Sequence, residues 1–203
     1  TNCAVSDYTD ADEVQQCDLL GLPDLRTESV LVRAKVRELL DHLSSLGAAG
    51  VRLDAAKHVP SADVAALLEA SSFTYDNIVM EVIEDASAPE GLNPPEYVAY
   101  GRVADFSYAW IVAEAFAGSD LASLRTLTGP PDGTFGRLPS DQACVFIDNH
   151  DTQRVDDVRL THEDGALYIA ANAFMLAWPY GRPRLMSSYN LSLDSSVGYD
   201  GPP

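Results

Sequence analysis

The chain has 203 residues, 46% of them hydrophobic, which is enough to bury a sizeable core. Its 31 acidic and 13 basic residues give a formal net charge of -18, which disfavours nucleic acid and anionic membranes as partners and suits a neutral one. The apolar runs are all shorter than the roughly 18 residues that a membrane span requires.

The first 26 residues are rich in Asp, Gly, Thr and Ser and have little periodicity, which predicts a loop. Cys3 and Cys17 lie close together in this polar segment, whereas Cys144 lies within an apolar run. We interpret Cys3 and Cys17 as a disulfide that holds the loop, and Cys144 as a buried free thiol. Three free thiols in a cytosolic protein are the alternative interpretation of this spacing.

Helical and strand-like patterns alternate along the rest of the chain. The predicted helices lie at residues 30–46, 63–70, 109–117, 121–127 and 166–178. The predicted strands lie at residues 50–54, 78–83, 103–107, 143–147 and 185–188. The first helix has Thr27 or Ser29 as its N-cap and Gly47 as its stop, and the last is nearly all apolar and is expected to be buried. Strands that alternate with helices predict a parallel sheet.

Charged side chains crowd the end of the first predicted strand. Arg52 and Asp54 alternate with Val51 and Leu53, so the two charged residues should share one face of the strand. Burying a lone charge is costly, so the arrangement makes sense where the two charges offset one another or meet a third partner such as an ion. On spacing alone, a structural pair of Arg and Asp within a core explains the pattern as well.

Residues 50–58 read Gly-Val-Arg-Leu-Asp-Ala-Ala-Lys-His, and residues 22–25, 80–83 and 146–151 form three further short motifs. All four stretches resemble conserved regions of the alpha-amylases of glycoside hydrolase family 13, and residues 50–58 resemble the second of these regions. Residues 80–83 resemble its third region, residues 146–151 its fourth and residues 22–25 its fifth, in the family's order and spacing. The likeness extends to residues 184–189 and is strongest to the chloride-dependent animal-type amylases and their bacterial relatives.

The resemblance implies a TIM-type (β/α)8 barrel, of which this chain would hold about the second half, strands four to eight. Residues 1–26 would be the tail of the calcium-binding insertion, domain B, and its link into the barrel. Residues 27–203 would form the C-terminal half of the catalytic barrel, domain A. The protein is then expected to be secreted and, when full length, a monomer. The chain starts at Thr1 without a methionine and without a signal peptide, so we expect a processed or partial piece.

The same resemblance implies hydrolysis of internal alpha-1,4-glucosidic bonds in starch, glycogen and maltooligosaccharides, with retention of the anomeric configuration. Asp54 would be the nucleophile, Glu81 the general acid/base, and Asp151 the third carboxylate, which binds and distorts the sugar. The apolar neighbours of Glu81 favour a protonated acid, whereas Arg52 favours an ionised Asp54. For Glu81 alone, a carboxylate that bonds the backbone at a strand end is the simpler interpretation.

Further residues receive a substrate-binding role from the resemblance: Arg52, Lys57, His58 and His150. A solvated Lys57, a His58 that merely lies in a loop and a His150 that caps a helix or loop are the structural alternatives. The alternatives for the whole protein are a glucanotransferase of the same family, a non-catalytic relative and an inert fragment. A non-catalytic relative would lack one or more of the three carboxylates.

Two ions are also implied. The backbone carbonyls of Gln15 and His58 and the carboxylate of Asp24 match calcium ligands, which are hard oxygens. A chloride site would be formed by side chains that share a positive or amide character: Arg52, Asn149 and Arg184. Two guanidinium groups that converge on one interior point need an anion between them. Arg182 is the alternative to Arg184 in this set.

Overall fold

The computed structural model describes residues 3–69, 71–118, 120–126, 138–154 and 160–187. Within these residues the strands are β1 Val51–Leu53, β2 Ile78–Met80, β3 Arg102–Ala104, β4 Ala143–Val145 and β5 Arg182–Pro183. The α-helices are α1 Ala11–Gln16, α2 Val30–Ser45, α3 Ser61–Leu68, α4 Phe106–Gly118 and α5 Ala166–Ala177. Short 3-10 helices lie at Ala56–His58, Tyr75–Asn77, Pro94–Glu96, Leu121–Thr126, Thr152–Arg154 and His162–Asp164.

The five strands form one parallel sheet in chain order, β1-β2-β3-β4-β5, as the alternating pattern predicts. Val51 pairs with Ile78, and Cys144 pairs with Arg182. Because all neighbours run parallel, the carboxyl ends of all five strands meet at one edge of the sheet. Side chains that follow the strands are therefore brought together there.

The two faces of the sheet have different neighbours, because successive side chains point to opposite sides. One face packs against α3, α4 and α5 in a core whose central residues are at most 1% exposed: Val64, Met80, Val103, Val112, Val145 and Met175. The opposite face carries Arg52, Val79, Ala104 and Cys144, which line a cavity. Arg52 is thus on the face away from the helices.

The fifth strand is not where the sequence pattern places it. The structure has a strand at Arg182–Pro183, and residues 184–187 are not in a strand; residue 188 lies outside the described residues. The chain enters pairing early because Gly181, with φ +70°, lies so close to β4 that a Cβ there would be 2.5 Å from Val145 Cγ1. The prediction of a strand at 185–188 was therefore wrong.

Two helix predictions also need correction. Helix α4 begins at Phe106, three residues earlier than predicted, because the Asp105 carboxylate accepts from the Tyr108 backbone N–H at 3.0 Å and caps its first turn. Helix α5 is not buried. Ile169 is 69% and Leu176 56% exposed, whereas Ala171 and Met175 are buried, so α5 buries one side and exposes the other.

The N-terminal segment contains a short helix that the sequence pattern did not predict. The Asp10 side chain caps α1 by accepting from the backbone N–H groups of Asp12 and Glu13. The Cys3–Cys17 disulfide is present and closes the segment around this helix. Cys144 is a buried free thiol on β4, so the prediction for all three cysteines is confirmed. None of the described helices has the length and apolar character needed to cross a membrane.

Candidate active site

A cavity of about 180 Å³ lies on the open face of the sheet, and residues from all five strands or the segments that follow them line it. Its charged and polar lining includes Arg52, Glu81, Asp148, Asn149, His150 and Arg184. Phe106 and Phe146 stack edge to face at one side, with ring centroids 5.0 Å apart. The cavity therefore combines an apolar wall with convergent polar groups, as small-molecule sites do.

Arg52 joins two of the predicted catalytic carboxylates. Its guanidinium contacts Asp54 Oδ1 through Nη1 and Glu81 Oε1 through Nη2, the latter at 3.0 Å. The Asp54 side chain is 71% exposed and that of Glu81 11% exposed. Arg52 and Asp54 share a face as predicted, but Asp54 does not point into an interior. The Arg52–Asp54 pair thus meets a third partner, the Glu81 carboxylate, because Glu81 directly follows β2, the strand next to β1.

Backbone contacts with the turn after β1 hold Glu81 in place. The Glu81 N–H donates to the Leu53 carbonyl at 2.9 Å, and the Glu81 carbonyl accepts from the Ala56 N–H at 2.9 Å. Its Oε2 accepts from the Ala55 N–H at 3.1 Å. Ala55 has φ 47°, a left-handed conformation that is uncommon for a residue with a Cβ and costs roughly 1–2 kcal/mol. This strained turn, directly after Asp54, aims the Ala55 N–H at Glu81.

The turn after β4 carries Asn149, His150 and Asp151. Asn149 Oδ1 accepts from the backbone N–H groups of Asp151 at 2.9 Å and Thr152 at 2.8 Å, which leaves its amide nitrogen as the donor. His150 Nε2 lies 3.3 Å from Asp151 Oδ2. Among the described residues, the contacts of Asp151 are within this turn rather than with Asp54 or Glu81. Asn149 and His150 line the cavity with Glu81, and Asp151 follows them.

Lys57 and His58 lie in the 3-10 helix that follows β1 and are half-buried. Lys57 Nζ donates to the Ile83 carbonyl at 3.1 Å, and burial lowers the pKa of Lys57. His58 Nδ1 lies 2.9 Å from the Val14 carbonyl oxygen, and burial lowers the pKa of His58. Both residues are thus anchored to neighbouring segments rather than free in solvent.

The three residues that match calcium ligands are in packed neighbouring segments. Gln15, in α1, donates through Nε2 to the carbonyls of Lys57 at 3.4 Å and Gly91 at 3.3 Å. Burial raises the pKa of Asp24, and the charge of Asp24 acts on His58. Calcium takes six to eight oxygens, and this set supplies one carboxylate and two carbonyls. No cluster of three or more acidic, His or Cys side chains suited to a metal occurs among the described residues. These three oxygens could therefore form part of a calcium coordination shell but not all of it.

The three residues that match chloride ligands, Arg52, Asn149 and Arg184, line the same cavity. Arg182 is directed elsewhere, since its Nη1 donates to the Asp76 carbonyl. Asp76 also pairs with Arg102 at 2.7 Å. Arg184 thus lines this cavity with Arg52, whereas Arg182 lies with both of them at a second cavity, beside Asp76.

Two buried acids near the site were missed by sequence reasoning. Asp148, 2% exposed, lines the cavity, and its Oδ1 accepts from the Tyr168 hydroxyl at 2.7 Å, which connects the end of β4 to α5. Glu84 is 6% exposed and follows Glu81 by three residues. In each case the signal available in the sequence was an acidic residue next to an apolar stretch. The partner of Asp148 lies in a different element and the burial of Glu84 depends on packing, so neither could be predicted from the sequence.

Fold and site together correspond to part of a barrel-type enzyme that places its polar groups at strand C-terminal ends. No family model matches the chain. An alpha-amylase of Streptomyces violaceus is 42% identical over 185 residues, which are 91% of this chain and 31% of that protein. An alpha-amylase of Thermomonospora curvata is 40% identical over 201 residues, which are 96% of this chain and 31% of that protein.

A solved structure gives the same relationship. A variant of alpha-amylase I from Eisenia fetida, in complex with maltohexaose, matches with a TM-score of 0.83 and 35% identity over 93% of this chain and 40% of that one. Over most of its length the chain is therefore similar to alpha-amylases, which confirms the resemblance to that family. It spans about a third of the length of the curated relatives it matches.

Proposed function

We propose that these residues are part of an alpha-amylase that hydrolyses internal alpha-1,4-glucosidic bonds in starch, glycogen and maltooligosaccharides with retention. The observation that carries the proposal is the Arg52 bridge between Asp54 and Glu81 at adjacent strand ends, in a chain about 40% identical to alpha-amylases. The maltohexaose bound by the related Eisenia fetida enzyme supports a linear glucan as substrate.

In the proposed reaction the Asp54 carboxylate attacks the anomeric carbon and the glycosidic C–O bond breaks. Glu81 gives its proton to the leaving oxygen. Glu81 then takes a proton from water, which attacks the same carbon and releases Asp54, so two inversions give net retention. Arg52 pairs with the Asp54 carboxylate, which acts as the anion in the first step. The high exposure of Asp54 leaves it accessible to a polymer.

Asp151 and His150 are proposed to bind the sugar beside the scissile bond. Both are about half exposed, next to Asn149 in the cavity wall, so their side chains are available to hydroxyl groups. Lys57 is proposed to contact the sugar on the leaving-group side. His58 is proposed to contact the sugar as well, and Arg52 contributes to substrate binding through the two carboxylates that it holds.

Calcium and chloride are proposed as ions of the full-length protein. Gln15, Asp24 and His58 would contribute three oxygens to calcium, which would tie the N-terminal segment to the turn after β1. Chloride would lie between Arg52 and Arg184, with the Asn149 amide as a donor. The disulfide is compatible with an oxidising compartment, and we propose that the protein is secreted and acts as a monomer when full length.

The test is product analysis with the full-length enzyme and a maltooligosaccharide of defined length. Proton NMR of the first products should show the alpha anomer, and chromatography should show shorter chains without longer ones. Beta-anomeric first products would exclude retention. Longer chains formed from the donor would identify a glucanotransferase instead.

A further inference from the structure

Glu84 is a buried acid that the reaction scheme does not use. At 6% exposure it is no more accessible than Glu81, at 9%. Among the described residues, neither oxygen of its carboxyl group has a hydrogen-bond partner. An ionised carboxylate in such a place would lose its hydration without replacement, which is costly. The surroundings therefore favour a neutral acid.

The hydroxyl group nearest to Glu84 serves another carboxylate. Ser107 lies beside Glu84, and its hydroxyl donates to Asp105 Oδ1 at 2.9 Å. Asp105 also accepts from the Tyr108 N–H at 3.0 Å and from the Tyr180 hydroxyl at 2.7 Å. Since the Ser107 proton points at Asp105, the Ser107 oxygen offers Glu84 lone pairs. A protonated Glu84 can donate to them, whereas an ionised Glu84 cannot.

Two charged groups face Glu84 from the neighbouring segments. Asp105, at the start of α4, adds negative charge, and Lys57, after β1, adds positive charge. Lys57 is directed to the Ile83 carbonyl at 3.1 Å rather than to the acid. Burial, with a smaller contribution from Asp105, raises the pKa of Glu84 to about 7.

The position of Glu84 connects it to the candidate acid/base. On the β1 side, Ala55, Ala56 and Lys57 hold the segment that begins with Glu81. On the α4 side, Val82 packs in the core with residues of α4, and Glu84 lies next to Ser107 and Asp105. Loss of the Glu84 contact would remove the tie to the start of α4, so the direction of the Glu81 side chain in the cavity could change while its backbone bonds to the β1 side remain.

We propose that Glu84 is a positioning residue of the reaction: it carries a proton and donates it in a hydrogen bond to Ser107 Oγ. A chain from Glu84 through Ser107 to Asp105 then fixes the Glu81 segment to the start of α4. The positioning role rests on the proposed amylase function, whereas the protonation state does not.

The protonation state of Glu84 is tested first, on the full-length protein. The test variant is Glu84→Gln, and the control is Glu90→Gln, which removes an exposed acid from the same loop. Below pH 7 the infrared spectrum of the wild type should contain a carboxylic acid band that is absent in E84Q and present in E90Q. Melting temperature is measured in parallel. Because the folded protein binds a proton more tightly than the unfolded chain, the stability of the wild type relative to E84Q should fall between pH 4.5 and about 7 and be constant above.

Unchanged infrared spectra and parallel melting profiles for the wild type and E84Q would overturn the proposal, whether or not the protein is an amylase. The positioning role is tested by kinetics on maltooligosaccharides. Glu84→Ala should lower kcat at least tenfold with little change in KM, E84Q should recover most of the loss, and E90Q should match the wild type. Equal kcat in E84A and the wild type would overturn the positioning role.

Discussion

Arg52 contacts both candidate catalytic carboxylates. It pairs with Asp54, the proposed nucleophile, and with Glu81, the proposed general acid/base. The proposed nucleophile acts as an anion, whereas the acid step needs a proton on Glu81. The proposed acid step therefore requires that the contact between Arg52 and Glu81 is weakened. Arg184 and Asn149, in the same cavity, are the groups through which an anion could do so.

Replacing Glu81 by Gln in the full-length enzyme should lower kcat by several orders of magnitude while starch binding persists. General acid catalysis contributes roughly 100- to 10,000-fold, and the proposed cycle uses Glu81 twice. Turnover is measured by release of reducing sugar, and binding by sedimentation with insoluble starch. E90Q, in an exposed part of the same loop, is the control. A variant that kept a tenth of the wild-type rate would remove Glu81 from its role.

Chloride should activate the full-length enzyme at alkaline pH. An anion beside Arg52 adds negative charge near Glu81, favours its protonated form and shifts the alkaline limb of the rate profile upward. The rate profile is measured with and without chloride at constant ionic strength. Arg184→Ala should abolish the shift, whereas Arg182→Ala, whose side chain is directed at Asp76, should retain it. If R182A alone lost the response to chloride, Arg182 rather than Arg184 would belong to the anion site. If chloride left the alkaline limb of the wild-type rate profile unmoved, the anion site would be excluded.

At the scale of elements, local signals located most helices and strands, and packing decided the rest. Helix α2 could be predicted to within one residue, because its periodicity is followed by Gly47, whose φ is 91°. The fifth strand could not, because its start depends on the close approach of Gly181 to Val145. The burial of α5 depends on which elements cover it, and one sequence contains no such information.

Part of the candidate site could be predicted from local patterns, and part of it required the structure. Asp54, Glu81 and Asp151 could be proposed as catalytic because each lies in a stretch with a family pattern, within or just after a predicted strand. The bridge from Arg52 to Glu81 joins two strands, and Glu84 depends on the start of α4, so neither follows from local spacing. Residues that act through partners distant in sequence required the structure.

The disulfide should stabilise the N-terminal segment and the turn next to it. Closing a loop with a sequence separation of 14 residues is worth about 3 kcal/mol in the chain-entropy account. The full-length double variant Cys3→Ser with Cys17→Ser should therefore unfold at lower urea concentration than the wild type. Cys144→Ser is the control for loss of a thiol. A non-reduced digest analysed by mass spectrometry should show the bridge between Cys3 and Cys17, and a bridge to Cys144 would contradict the pairing.

At the scale of the whole molecule, two sheet edges and the outer sides of two helices among the described residues are uncovered. Strands β1 and β5 each have one described neighbour and lie at the edges of the sheet. Large apolar side chains on two helices are more than half exposed: Val30, Leu31, Leu39, Ile169 and Leu176. The matched relatives are about three times as long as the matching part of this chain. Further chain in such a relative would cover these surfaces.

These 203 residues expressed alone should therefore show no amylase activity, although all three candidate carboxylates are present. An open apolar sheet edge favours association with other chains, and a barrel closes only when its first and last strands pair. The Arg52 bridge holds Asp54 and Glu81, but Asp151 is held by its own turn, and catalysis requires positions accurate to about 0.5 Å. We expect aggregates or a loosely packed state that binds a hydrophobic dye.

The measurements are size-exclusion chromatography, thermal unfolding, dye fluorescence and reducing-sugar release from starch, with the full-length enzyme as the positive control. Addition of the missing part of the barrel as a separate chain should restore some activity if its absence is the cause. A monomeric piece that unfolds cooperatively and releases reducing sugar without any addition would show that five strands are sufficient. In that case the exposed helices and sheet edges would have to be a stable surface rather than an uncovered core.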